Sequence, residues 1–208
     1  MIANNPTQET DELLDRIAIR EVIESWAIWR DTGDWESLPT AWHADGRMTA
    51  TWFTGGRDEF VERAKASFAK GNMSSHILGA TAIKLAGPPA VAQTRVTISS
   101  REPIDGALYD VSCIGRFYDL FERRGGRWAI VVRLLTYEKD RADPVFPGET
   151  HTFDRSLLDS FPPGYRFLAY AQTKRGLTVN RSLPGLRGPE VEALYARGAR
   201  WLAGGPAD

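Results

Sequence analysis

From His76 the apolar pattern of this chain takes on the period of a sheet, and that change limits the folds open to it. Before His76 apolar residues recur mostly at helical spacing; from it to Tyr137 they alternate, in runs separated by short turns rich in Gly and Pro. The spacing predicts a helix from Thr10 to about Asp31 through Ile17, Val22, Ile23, Trp26 and Trp29, and a short one over Trp35 to Trp42. It predicts a third from Asp58 to Lys70, ended by Gly71, after a strand from Arg47 to Phe53. Ser75 to Leu85, Ala90 to Ser100, Leu108 to Phe121 and Trp128 to Tyr137 then read as strands of a meander. Helices first and hairpins afterwards imply an α+β domain, with one highly curved sheet packed on segregated helices.

After Arg141 the composition shifts to Pro and Gly, with short helices expected at Asp154 to Phe161 and Pro189 to Leu202. The expected organisation is a domain over residues 1–140 and an extension over 141–208. The extension carries too many apolar residues, Leu157, Tyr165, Phe167, Leu194 and Trp201 among them, to stay in water. It is expected to pack on its own core or across a homo-oligomer, most simply a two-fold dimer.

Chain totals exclude several function classes. With 208 residues, 42% of them hydrophobic, the chain can bury a full core. A net charge of −1 gives no basic field for nucleic acid. No apolar run approaches a membrane span, and MIANNPTQETDELL lacks the marks of a signal peptide, so a cytoplasmic location is expected. The single cysteine, Cys113, reads as a small core residue, and three scattered histidines make no metal cluster, so neither metal nor organic cofactor is expected.

One pair of residues carries chemistry. Ile23, Ala27 and Asp31 share a helix face, so the Asp31 carboxylate points where the apolar side chains point. His76, after the polar stretch GNMSS, is the best placed histidine to meet it. A carboxylate on one ring nitrogen fixes the imidazole tautomer and leaves the other nitrogen as a base. Read alone, His76 also fits a structural histidine at a strand start, and Asp31 a helix end entering a turn. His43 and His151 read as polar residues of a helix end and of the extension, and the run Glu122-Arg123-Arg124 as a solvated hairpin tip.

Three segments, AIREVIESWAIWRDTGDWESL, SSHILG and GRFYDLFERRGGRWAIVVR, occur in an order that resembles the SnoaL-like branch of the nuclear-transport-factor-2-like (NTF2-like) superfamily. The resemblance implies a cone-shaped, curved, mixed or antiparallel sheet on three N-terminal helices. It extends to cofactor-independent lyases such as scytalone dehydratase, bile-acid dehydratase, a dehydrochlorinase and diarylpropane lyases. Carried over, it makes His76 the base, Asp31 its partner, and Arg133, five residues after Trp128, the cavity cation. Where such enzymes carry a Tyr or Lys near the leaving group, this chain has Trp26, whose indole is no ordinary proton donor. Ala129, Val131 and Leu135 are expected to share the face of Arg133. Trp26, Trp52, Tyr109, Tyr118 and Tyr137 are candidates for walls that suit an aromatic or terpenoid-like substrate. The implied reaction is loss of water, or carbon–carbon cleavage releasing formaldehyde, from a hydrophobic hydroxylated molecule. An isomerase or epoxide hydrolase with the same cavity, and a non-catalytic binding or assembly module, are the alternatives.

Overall fold

In the computed structural model, which describes residues 6–146, 148 and 152–207, the long amphipathic helix α1 spans Pro6–Thr32. Glu9 in its first turn and Arg30 in its last complement the helix dipole. A single 3₁₀ turn, Leu38–Ala41, replaces the short helix expected over Trp35 to Trp42, because Trp42 is already paired to the sheet. Strand β1 (Trp42–Ala50) and the short β2 (Phe53–Gly56) follow, then helix α2 (Arg57–Ala69). His43 therefore sits on a strand and not at a helix end, with its ring Nε2 2.9 Å from the Glu122 carbonyl oxygen. His151 lies outside the described residues.

Four long strands make the body of the sheet: β3 (Ser74–Leu85), β4 (Pro89–Ile104), β5 (Ala107–Arg124) and β6 (Arg127–Pro144). The order across the sheet is β2-β1-β6-β5-β4-β3. Only β1 and β6 run parallel, so the sheet is mixed. The turns Asp105-Gly106 and Gly125-Gly126 hold both residues at positive φ, the geometry of two-residue hairpins whose twist matches that of the strands. The strands run several residues beyond the lengths read from sequence, since a hairpin continues pairing as long as both backbones stay extended.

Register shifts bend this sheet into a cone, because an unpaired extra residue kinks its strand. They fall in β1 between Trp42 and Arg47, in β3 between Leu78 and Thr81, and twice between β5 and β6. The shift at Val131 also resets the alternation of β6. Trp128 and Ile130 face the main core before it, and Leu135 and Tyr137 after it, while Val131 and Val132 join a second core on the opposite face. Ala129 and Val131 thus do not share the face of Arg133 as a strict period of two predicts.

The segment after β6 folds back on both sides of the sheet. β6 itself runs to Pro144, past residue 140. Helix α3 (Arg155–Asp159) is capped by Asp154, whose Oδ1 accepts from the Ser156 and Leu157 amides. Helix α4 (Arg166–Lys174), not foreseen from the sequence, packs on the concave side, and the Asp140 carboxylate accepts the Leu168 amide at 2.9 Å. Burial pushes the Asp140 carboxyl up to about 6. Helix α5 (Pro189–Leu202) lies on the convex side, where Leu194 and Trp201 cover Val91, Tyr118, Leu120, Val131 and Val132. The Trp201 indole donates to the Phe121 carbonyl at 3.1 Å. The apolar faces that suggested an oligomer are therefore largely satisfied within one chain.

α5 approaches the sheet most closely at Gly198, where any Cβ would overlap the Tyr118 hydroxyl. A glycine in mid-helix costs about 1 kcal/mol against alanine, whereas each large buried side chain contributes roughly 1.5–3 kcal/mol, so docking outweighs the helical penalty. Gly198→Val should detach α5. The expected outcome is a lowered melting temperature and new proteolytic cleavage between α4 and α5, and a variant as stable and resistant as the parent would contradict this packing.

Candidate active site

α1 places four consequential side chains in its last two turns because residues four apart share a face. Ala27 and Asp31 form one such pair and Trp26 and Arg30 the other. At the start of the edge strand β3, His76 meets Asp31 through two contacts. Its backbone amide donates to Asp31 Oδ2 at 2.6 Å, and its ring Nδ1 lies 2.6 Å from Asp31 Oδ1. With both carboxylate oxygens accepting, Nδ1 carries the ring proton and Nε2 is left as the basic nitrogen. Burial pushes the His76 pKa below the ordinary imidazole value; Asp31 opposes that shift, and the charges of Arg30 and Arg133 add to it. The neutral ring is thus the resting form near neutral pH.

His76 lines a cavity of about 410 Å³ between α1, α2, the concave sheet and α4. Trp26, Trp52, Phe60 and Tyr137 supply aromatic wall, and Met48, Ile98, Leu135 and Leu168 the aliphatic part. The Trp26 ring meets His76 edge-to-face, with centroids 5.1 Å apart. Tyr137 accepts the Thr51 amide at its hydroxyl, 3.3 Å away, and burial pushes its pKa up. The polar wall comes from Arg30, Ser74, Ser100, Glu102, Gln172 and Arg175.

Three of the residues assigned from sequence sit elsewhere. Arg133 is fully buried behind Trp26 and Phe117, its guanidinium carbon 4.5 and 4.1 Å from their ring centres, and does not line the cavity. Asp119, facing it from β5, takes two hydrogen bonds of 2.7 Å from that guanidinium. Burial pushes the Asp119 carboxyl up while the guanidinium pulls it back, and the two-point contact keeps the pair ionised. Tyr118 points to the convex face, beneath α5 and against Tyr195. Tyr109 is buried against Phe153, away from the cavity. Alternation explains Tyr118, the even neighbour of the inward Phe117, whereas Tyr109 faces the main core farther along β5, packed on Phe153.

Arg30, Glu102, Gln172 and Arg175 were missed. Arg30 reads in the sequence as an ordinary cation at a helix C-terminus, and its one available signal was the four-residue spacing from Trp26. Gln172 and Arg175 belong to the helix that sequence reading did not find. Among the described residues no group of histidine, cysteine or acidic side chains could hold a metal ion. Cys113 is buried, its Sγ 3.6 Å from the Gly164 carbonyl oxygen, and burial pushes the thiol pKa up.

The fold agrees with known proteins. Residues 11–133 match the SnoaL-like domain. A PEP2-like protein of Fusarium vanettenii is 34% identical over 205 residues, covering 92% of this chain and 87% of the relative. Pea pathogenicity protein 2 of the same fungus is 33% identical with the same coverages. Among solved structures, a scytalone dehydratase-like protein from Novosphingobium aromaticivorans superposes with a TM-score of 0.56 at 19% identity, over 68% of this chain and 99% of that one. A type 2 hexachlorocyclohexane dehydrochlorinase (LinA) gives a TM-score of 0.56 at 14% identity, over 70% of this chain and 99% of its own. The chain belongs to the SnoaL-like family, within the NTF2-like fold. No helix among the described residues is long and apolar enough to cross a membrane.

Two predictions follow from the charges. A folded-state histidine pKa below its unfolded value of about 6.5 gives stability that is complete above that pH and lost as pH falls toward the folded value. The stability advantage of the parent over His76→Gln should therefore shrink below about pH 6.5. The His76 ring should titrate below that value by NMR, and titration above it would contradict the assignment. Arg133→Met should destabilise by about 3–5 kcal/mol in chemical denaturation, because Asp119 is left charged and buried; adding Asp119→Leu should recover most of the loss.

Proposed function

We propose that this member of the SnoaL-like family is a cofactor-independent lyase that removes water from a hydrophobic, hydroxylated, aromatic small molecule, with His76 as base and Asp31 as the residue that orients it. The observation that carries this reading is the two-point contact between them at the wall of a cavity with aromatic sides. His76 Nε2 takes a proton from the carbon next to the one bearing the hydroxyl. The electron pair forms the new double bond as the carbon–oxygen bond breaks, and the departing hydroxide takes a proton to become water. The imidazolium formed by the first transfer can return its proton to that oxygen, so one residue serves both halves if both groups leave from the same face. This suits a site where Trp26 stands in place of an acid. Cleavage with loss of formaldehyde would use the same base on a hydroxymethyl O–H. The C=O bond of formaldehyde forms as the carbon–carbon bond breaks, that pair makes the new double bond, and hydroxide leaves the adjoining carbon to become water with the proton from His76.

The cavity volume lies in the range of small-molecule sites, and its flat walls favour rings. An isomerase or epoxide hydrolase would require a free carboxylate. Glu102, the carboxylate on the cavity wall, has the Arg175 guanidinium 3.3 Å away. A binding module would need no base, yet the Asp31 contact leaves His76 Nε2 unengaged by any described residue. Ile77 on edge strand β3 and Ile28 on α1 are more than 60% exposed, which keeps a homodimer as the expected assembly. Light scattering should give twice the 23.2 kDa chain mass.

The function is tested by screening hydroxylated aromatics for loss of water or formaldehyde by mass spectrometry. His76→Ala should lower kcat by about a hundredfold or more with the fold retained, a typical size for losing a general base. Added chelator should leave the rate unchanged. Parent-level turnover by folded His76→Ala would overturn the dyad's catalytic role.

A further inference from the structure

Arg30 is 6% exposed, lines the cavity, and makes no hydrogen bond or ion pair with any described residue; its Nη1 is among the buried polar atoms without a partner. Its neighbours are the Trp35 ring, 5.9 Å from the guanidinium carbon, and Asp31, both of whose oxygens His76 already occupies. A buried guanidinium keeps its charge, and without an acceptor it loses the hydration that stabilises the charge. Arg133 shows the contrast: its Nη1 also lacks a partner, but its Nε and Nη2 both donate to the Asp119 carboxylate, which balances its charge.

The rest of the cavity points the same way. Arg63, Lys70 and Arg175 line it with Arg30, against the single carboxylate of Glu102 among the described lining residues. Arg175 is matched by that carboxylate, and Arg63 by Glu59 at 2.8 Å. Arg30 is the deep lining cation that no described side chain neutralises. Arg175 adds a buried donor without a partner, its Nε, to the same wall.

We infer that Arg30 is the anchor for a carboxylate on the substrate, so that the molecule handled here is an aromatic acid held with its anionic end on Arg30 and its ring against Trp26 and Trp52. The carboxylate supplies the acceptor that Arg30 lacks, and a planar guanidinium presents the paired donors that suit it. Anchored there, the substrate has its carboxylate end fixed on the wall that also holds His76. Arg63 and Lys70 add positive charge along the approach. The inference rests on the cavity being a substrate site, and it names the substrate class for the reaction proposed above.

Calorimetric titration of the intact chain with 3-phenylpropanoate and with its uncharged amide at pH 7.5 tests the inference without turnover. The acid should bind about tenfold or more tightly than the amide, the size expected for a charge-assisted pair. Arg30→Gln should bring the acid down to the affinity of the amide while leaving the amide unaffected. Arg30→Lys should keep part of the preference, which guards against a Gln variant that fails to fold, and Arg63→Gln should keep most of it. Equal binding of acid and amide, no measurable binding of the acid at millimolar concentration, or a preference that survives in folded Arg30→Gln would each overturn the assignment. Failure of the lyase reading shows elsewhere, as unaltered turnover in His76→Ala, and leaves this preference intact.

Discussion

The contact between Asp31 and His76 couples the two halves of the molecule. Asp31 ends the helical part of the chain and His76 opens the sheet, and a single carboxylate takes one proton from the backbone and one from the ring of the same residue. β3 is an edge strand, so the amide that Asp31 accepts would otherwise face outward without a partner. The bond that satisfies the edge also sets the imidazole tautomer. Substitution at Asp31 is consequently never a clean probe of catalysis, since an asparagine there offers one acceptor and one donor to two N–H groups and weakens the sheet edge as well as the base. Effects confined to His76 are easier to interpret, because its side chain can be removed while its amide stays.

Around that contact the cavity is assembled from two sources. The part of the chain matching the SnoaL-like domain supplies His76, Asp31 and the aromatic walls of Trp26, Trp52 and Phe60, and ends before Tyr137 and the residues that complete the polar side. Leu168, Gln172, Arg175 and Leu177 come from the segment after β6, held over the concave face by the buried Asp140 carboxylate. The fungal relatives share nearly the whole length, whereas the scytalone dehydratase-like and dehydrochlorinase structures match about two thirds of it. The concave sheet and the Asp31–His76 contact therefore lie within the family domain, and part of the cavity's polar wall lies in the extension.

How much of this was legible in the sequence depends on whether a signal is local. The switch in period near His76, the stripe from Ile23 to Asp31 and the turn residues each follow from neighbours in the chain, and they located α1, α2, the strands and the Asp31–His76 contact. The bulge at Val131 is not local. It arises from the closure of β6 on β5, and it carried Ala129 and Val131 off the face assigned to them. The wall assignment failed for Tyr118 because an aromatic on a strand gives no indication of which face is the cavity when both faces are covered. α4 escaped notice because its apolar residues form an almost continuous run, Phe167 to Ala171, with no helical gap to mark its faces.

The two buried arginines show why residue type alone could not assign the cavity cation. Arg133 and Arg30 are both inside, both near Trp26 and both felt by His76. What separates them is the partner. Arg133 on β6 lies directly opposite Asp119 on the preceding strand, β5, and the pair balances its own charge within the scaffold. Arg30 has a carboxylate as its immediate chain neighbour, but on a helix adjacent residues point about 100° apart, and His76 has already taken both of that carboxylate's oxygens. The contact that occupies both oxygens of Asp31 is therefore the same contact that leaves Arg30 without an acceptor. Locally the chain is less stable than it would be with that charge paired, the kind of stability deficit that concentrates where a protein meets its ligand.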